Sequence, residues 1–483
     1  MLYKINLLLM SELDRIPEAQ IIARLQVDNP WWERSSIPET YRNLRPRLYF
    51  RELHALVRER VPRRALVLMG PRRVGKTVLL YHVIQALIDG GTDPRHILYV
   101  SLDTPVYGRM GLEELFNLYR RHHKLPDGKG TYVLYDEVQY LKDWEIHLKS
   151  MVDTYHGTKF VASGSAAAAL KLKSRESGAG RFTDFSLPPL TFHEYIHLRD
   201  MDYMITSRED EWLGQPFTRY ETVSIEELNE EFLNYINFGG YPEVSLTKQI
   251  QADPLRYLKS DIIDKVLQRD LPSLYGIQDV LELNQLFTTI AFNTANEFSY
   301  ESLAQTSGVS SNTIRKYIGY LEAAFLIKIV HRIGESGKKF KRANLFKIYL
   351  TNSSLRSGLF APLADGDERL GNLVETGIFS QWFHRQNFTT YYARWQRGEV
   401  DIVGLHKQLQ TPSWAVEIKW SDLFAQQPKK LKSLLSFLRK NQLSQAVVTT
   451  KTVSKEIEFN GSQLKFLPAA LYAYTVGRRS VGE

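Results

Sequence analysis

The chain has 483 residues, 43% of them hydrophobic and 24% charged, so it can bury sizeable cores and is long enough for two to four domains. A formal net charge of +8 favours anionic partners, although a mildly basic surface with no such role fits the charge equally well. Cysteine is absent, which excludes disulfides, thiolate metal sites and cysteine nucleophiles.

MLYKINLLLMSELDR lacks a proper apolar core and a small-residue cleavage site, and no apolar run reaches the roughly 20 residues that span a bilayer. The expectation is a cytoplasmic protein without a membrane partner. Residues 1–60 read as an N-terminal helical arm rich in arginine and aromatics. Residues 61–205 alternate strands and helices: ALVLMG, HILYVSLD, YVLYDE and KFVASGS are short apolar runs, and the helix from Lys76 to Ile88 is closed by Gly90 and Gly91. That alternation predicts an α/β fold with a mostly parallel, doubly wound sheet. Residues 206–275 are acidic and read as a helical lid, broken at Gly239-Gly240-Tyr241-Pro242. Residues 276–360 read as helical and then extended, and 361–483 as a further α/β domain.

GPRRVGKT, residues 70–77, fits G-x-x-x-x-G-K-[ST] between a strand and a helix. Gly70 and Gly75 permit the tight turn, and the backbone from Gly70 through Pro71, Arg72, Arg73 and Val74 to Val78 wraps phosphates at a helix N-terminus. Lys76 reaches the β- and γ-phosphates, and the Thr77 hydroxyl ligates Mg²⁺. ATP and Mg²⁺ are the cofactors this implies. Asp136 and Glu137 end a strand at the edge where such sheets bind ligands. Asp136 is the expected Mg²⁺ partner, and Glu137 the base that polarises water. Ser163 and Ser165 are either water-orienting groups near the γ-phosphate or plain turn serines. Arg175 and Arg181 are either arginine fingers acting on a neighbouring subunit, which would make the protein a homo-oligomer, or a solvated basic loop.

GPRRVGKT, YVLYDEVQYLKDWEIHLK, FVASGS and AGRFTDFSLPPLTFHEY together resemble a prokaryotic family of AAA+/STAND-related P-loop ATPases with a C-terminal domain of unknown function. The resemblance runs from about residue 45 to the end, with Val138–Lys149, Gly180-Arg181 and Pro189–Tyr195 matching family segments. It implies a P-loop NTPase core of AAA+ type with a helical lid. The family's serine-rich stretch reads GSAAAAL here and lacks hydroxyls beyond Ser165.

Residues 299–330 read as helix, glycine turn, helix and strand, and resemble a winged helix. Asn312, Arg315, Lys316 and Tyr320 would face outward, either toward DNA or as part of a structural lid. Downstream, a helix bearing Glu375, a strand GEVDIVGL with Glu399 and Asp401 on one face, and a strand WAVEIKW with Glu417 and Lys419 on one face follow in order. That order resembles the PD-(D/E)XK nuclease superfamily. The resemblance implies Mg²⁺ held by Glu375, Asp401 and Glu417, with Lys419 steadying the attacking water. The alternative is exposed strands carrying surface ion pairs. The basic helix after Pro428 either meets a phosphate backbone or is solvated. The leading expectation is an ATP-driven switch or motor on DNA. The rival is a signalling or scaffold ATPase whose C-terminal fold is catalytically inactive.

Overall fold

The computed structural model describes residues 16–164, 180–212, 215–338, 344–385 and 388–481. The chain forms two compact units, residues 1–70 with 75–187, and residues 71–74 with 188–483.

The first unit begins with α1 (Glu18–Asp28) and α2 (Phe50–Arg58), then β1 (Ala65–Met69), α3 (Lys76–Asp89), β2 (Ile97–Ser101), α4 (Leu112–His123), β3 (Tyr132–Asp136), α5 (Trp144–Thr154), β4 (Lys159–Gly164) and β5 (Phe182–Ser186). Its five strands lie in the order β2-β3-β4-β1-β5, and every pairing is parallel. β1, β3 and β4 are buried along their whole length, which explains their unbroken apolar runs. β2 is an edge strand, and the N-terminal arm satisfies its outer backbone groups. The Asn29 amide donates to Tyr99 O at 2.9 Å and accepts from Tyr99 N at 2.6 Å. Trp31 and Trp32 donate their indole N–H groups to Ile97 O at 3.1 and 2.8 Å. An edge covered in this way offers no ladder to a second chain.

The second unit opens with α6 (Phe192–Leu198), whose Thr191 and Glu194 form a capping box. The following residues, expected to be helical, instead form a hairpin of β6 (Ile205–Trp212) and β7 (Gln215–Thr222). Their charges pair across strands: Arg219 to Asp210 at 3.2 Å and Arg208 to Glu221 at 3.2 Å. α7 (Ile225–Phe238) follows. Two π-helical stretches, Leu255–Ile263 and Val266–Asp270, then lead to α8 (Val280–Phe292).

Next come β8 (Glu297–Ser299), α9 (Tyr300–Ser307), α10 (Ser311–Ala323), β9 (Ile327–Ile333), β10 (Leu345–Leu350), α11 (Leu370–Trp382), β11 (Thr390–Trp395), β12 (Gly398–Leu405) and β13 (Pro412–Glu417). α12 (Lys432–Lys440), β14 (Gln445–Thr450), β15 (Lys455–Phe459), β16 (Ser462–Pro468) and α13 (Ala469–Ser480) complete it. The strands β8 to β16 make one mixed sheet in the order β15-β16-β14-β13-β12-β11-β9-β10-β8. The segments divided at residue 360 in the sequence therefore share a sheet. Neighbouring residues on a strand face opposite sides. Ile402 and Val416 accordingly join Phe232, Ile378 and Val476 in one core, while Val403 and Ala415 join Leu434 and Leu438 of α12 in another.

Candidate functional site

In the first unit the loop from β1 to α3 holds Gly75 at φ 91°, a left-handed conformation open to glycine. The Lys76 side chain is buried, and its ammonium donates to Gly70 O at 3.0 Å. The Asp136 carboxylate, fully buried at the end of β3, gathers four donors. Thr77 Oγ1 donates to Oδ2 at 2.7 Å, the Tyr99 hydroxyl to Oδ2 at 2.9 Å, the Glu137 amide to Oδ1 at 3.1 Å, and the Ser163 hydroxyl to Oδ1. A carboxylate and a hydroxyl in contact beneath a phosphate loop are the hard oxygen donors that Mg²⁺ accepts, so these residues fit the metal and the triphosphate.

Glu137 sits at φ 56°, and its carboxylate accepts from the Gln139 amide. Ser163 points at Asp136. Tyr99 went unnoticed in the sequence because it belongs to the neighbouring strand. Burial, reinforced by the charge of Asp136, holds its hydroxyl protonated well above the usual range.

Arg181 precedes β5, pairs with Asp153 at 2.5 Å, and accepts the Ala65 amide at its carbonyl. Ala65 starts β1 and the phosphate loop follows its end, so Arg181 stands at the opposite edge of the sheet from its own loop. Ser165 and Arg175 lie outside the described residues. Arg72 and Arg73, read from the sequence as contacts to either phosphate or a partner, group with the second unit. Arg72 meets Asp270 in a bidentate pair at 2.7 and 2.8 Å, and Arg73 meets Glu243 at 2.8 Å and Asp261 at 2.9 Å. Carboxylates satisfy a planar guanidinium through two parallel bonds, which explains that preference.

In the second unit, α11, β12 and β13 bring together the acids expected from the sequence, and β10 adds a residue that was not expected. Lys347 is 4% exposed at its side chain and reaches Glu375 Oε1 at 2.8 Å and Glu399 Oε1 at 2.5 Å. The Tyr349 hydroxyl donates to Glu375 Oε1 at 2.6 Å. Lys419 Nζ lies 2.8 Å from Glu417 and 3.6 Å from Asp401. Asp401 Oδ2 accepts the Ile418 amide at 2.7 Å, and Thr449 holds the Lys419 backbone at 2.7 and 2.8 Å.

Burial, then the charge of Asp401, pushes the Glu417 carboxyl up to about 8, although Lys419 pulls the other way. Burial likewise raises Glu375 against the pull of Lys347. Burial would lower both lysines, but the surrounding carboxylates raise them instead.

Among the described residues, no three His, Cys, Asp or Glu side chains group as a metal shell. Glu375, expected as the third ligand, is held by Lys347 and Tyr349. The pair Asp401 and Glu417 does fit a cation: Glu417 Oε2 is buried with no hydrogen-bond partner.

The helix–turn–helix of α9 and α10 buries Leu303, Ile314, Ile318 and Leu321. Asn312, Arg315 and Lys316 are exposed, with Arg315 over the Tyr300 ring at 4.6 Å. Tyr320, expected to face outward, stacks on Tyr275 at 3.9 Å.

Residues 62–196 match the family model described as an AAA domain. That segment of the chain, which carries the phosphate loop and Asp136, is thus similar to AAA domains. Residues 229–364 match a domain of unknown function, DUF8612. An uncharacterised protein of Methanocaldococcus jannaschii is 22% identical over 361 residues, covering 72% of this chain and 74% of that protein. One from Haemophilus influenzae is 24% identical over 343 residues, covering 70% and 78%. Among solved structures, AMPPCP-bound DnaA from Aquifex aeolicus is 16% identical, covering 56% of this chain and 86% of that chain at a TM-score of 0.28. Cdc6p from Pyrobaculum aerophilum is 15% identical, covering 65% and 91% at 0.27. Scores this low fall short of a shared overall fold. No helix among the described residues is long and apolar enough to cross a membrane.

Proposed function

We propose that the chain is a Mg²⁺-dependent, ATP-hydrolysing switch of the AAA type that works in the cytoplasm as a homo-oligomer on DNA. Its C-terminal region, Glu375 to Lys419, would bind or cut nucleic acid in the manner of PD-(D/E)XK folds. The observation that carries the ATPase reading is the Asp136 carboxylate under the Thr77 hydroxyl, next to the buried Lys76.

With triphosphate in the loop, the Lys76 ammonium exchanges the Gly70 carbonyl for the β- and γ-phosphates, and the loop amides bind the remaining oxygens. Thr77 and Asp136 would hold Mg²⁺, which would supply charge neutralisation at those phosphates. Glu137 accepts the proton of the attacking water, and Gln139 holds its carboxylate beforehand. Arg181, remote from its own loop, would serve a neighbouring copy. The test is turnover and nucleotide binding in two variants. Lys76→Ala loses binding, and Glu137→Gln keeps binding but loses turnover by about 100-fold or more. Unchanged turnover in both variants overturns the reading.

DNA contact is supported by exposed Asn312, Arg315 and Lys316 on α10. A nuclease would use Asp401 and Glu417 for the divalent ion and Lys419 for the water or developing charge. A second reading, a scaffold or signalling ATPase with an inactive C-terminal fold, draws on Lys347, whose ammonium already neutralises Glu375 and Glu399. Metal-dependent cleavage abolished by both Asp401→Ala and Lys419→Ala supports the nuclease; no cleavage under any nucleotide condition supports the scaffold.

A further inference from the structure

A groove of about 420 Å³ opens in the second unit, walled by α11, α13 and the end of β7, over β13, β14 and β16. That volume lies within the roughly 300–1,000 Å³ typical of small-ligand pockets. Tyr220, Trp382, Trp414 and Tyr472 supply its aromatic lining. Trp382 and Trp414 stack with centroids 5.1 Å apart and planes 20° apart, and Phe388 backs Trp414 at 5.6 Å and 15°.

The lining includes Arg219, Arg385, Lys465 and Arg479, and no Asp or Glu among the described residues lines the groove. Arg219 and Lys465 pair with acids outside the lining, Asp210 at 3.2 Å and Glu456 at 2.9 Å. The Arg385 guanidinium donates to Ser480 Oγ at 3.3 Å and Arg479 O at 3.2 Å, while that of Arg479 donates to Thr218 O at 2.9 Å. Those contacts fix both guanidiniums, and that of Arg385 lies over the Trp382 ring at 5.3 Å.

Flat apolar walls beside fixed cations select a planar ring that bears a negative charge. Aromatic faces take up a base by stacking, worth about 1–3 kcal/mol per base, and guanidiniums recognise phosphate. An aliphatic anion would satisfy the cations and waste the rings, and a neutral aromatic would do the reverse.

We propose that this groove binds one nucleotide unit, its base against the Trp382–Trp414 pair and its phosphate at Arg385 and Arg479. The unit is either a free mononucleotide or one nucleotide of a single strand. The site is separate from the phosphate loop and stands whether or not that loop hydrolyses ATP.

Full-length protein carrying Lys76→Ala, which blanks the phosphate loop, is titrated by calorimetry with dAMP, dTMP, a five-residue oligothymidylate and octanoate. Saturable binding of the nucleotides is expected. It should weaken at least tenfold in Thr475→Trp, which fills the groove, and in Gln445→Glu, which adds a negative charge to its floor. The Thr475 hydroxyl donates along its own helix, to Leu471 O at 2.8 Å, and among the described residues it makes no hydrogen bond to another element. If either variant fails to unfold at the parent's temperature, the other is read alone, with Arg479→Glu as the second. An oligonucleotide binding at least tenfold tighter than dTMP identifies a strand as the source; equal affinity identifies the free nucleotide. No heat with any nucleotide, binding indifferent to the groove variants, or octanoate competing as well as dTMP overturns the proposal.

Discussion

Lys347 Nζ lies 2.8 Å from Glu375 Oε1, joining β10 to α11 in a pair whose side chains are 4% and 15% exposed. The same ammonium holds Glu399 at 2.5 Å. Replacing it by methionine leaves Glu375 without its cation, while Glu399 keeps Arg394 at 3.2 Å, and breaking a buried pair from one side costs about 3–5 kcal/mol. Denaturant unfolding of Lys347→Met should show a loss of that size. The double change Lys347→Met with Glu375→Gln should recover part of it, because the uncompensated charge is gone. A loss below about 1 kcal/mol would mean that the pair behaves as an exposed one.

Glu417 gives a pH dependence of definite sign. Its carboxyl is raised from an ordinary 4.5 to about 8, first by burial and then by Asp401. The folded state therefore holds this proton more tightly than the unfolded chain. The resulting stability is fully present below about 4.5 and is lost as pH rises through about 8. Glu417→Gln keeps the neutral form at every pH. Melting temperatures of wild type and variant should coincide near the acid end of that window and diverge toward pH 8, with the variant the higher. A difference that stays flat across the window would show that Glu417 is ionised throughout.

Asn29 tests how the N-terminal arm holds the first sheet. Its side-chain amide supplies both a donor and an acceptor to the Tyr99 backbone on the edge strand β2. Asn29→Ala strands a buried N–H and C=O, at about 1–3 kcal/mol. Asn29→Asp retains the acceptor but not the donor, and brings a charge to a fully buried position. Hydrogen exchange at the Tyr99 amide should accelerate in Asn29→Ala, which removes its acceptor. Exchange as slow as wild type would mean that other groups cover this edge.

How much the sequence revealed depended on how local each feature was. The phosphate loop was legible because eight consecutive residues dictate its backbone, and Asp136 because it ends the adjacent apolar run. The acids of the C-terminal region were legible in order, since two-residue alternation puts Glu399 with Asp401 and Glu417 with Lys419. Lys347 and Tyr349 were not, because their place beside Glu375 is set by tertiary packing between β10 and α11. The hairpin of β6 and β7 was masked by its charges, which read as an acidic helix yet pair across strands. The nucleotide groove was invisible for the same reason as Lys347: six elements distant in sequence line it.

Gly239-Gly240 read as a helix break, and the structure gives the second glycine a stronger reason. A Cβ on Gly240 would stand 2.3 Å from Asn352 Oδ1 and 2.6 Å from Ser354 Oγ. Asn352 cannot yield at no cost. Asn352 Nδ2 donates to the Tyr235 hydroxyl at 3.2 Å, and that hydroxyl donates to Leu190 O at 2.8 Å and accepts from Gln381 Nε2 at 2.9 Å. The Leu190 amide in turn donates to Gly240 O at 2.9 Å, so a displaced backbone would open the network from both ends. Gly240→Ala should therefore destabilise the second unit by more than the roughly 1–3 kcal/mol of ordinary overpacking. Tyr235→Phe should cost about 1–3 kcal/mol through the groups it leaves unpaired. The two sites share one network, so the double variant should lose less than the sum of the singles. Strict additivity in denaturant unfolding would show that the glycine and the tyrosine act through separate contacts.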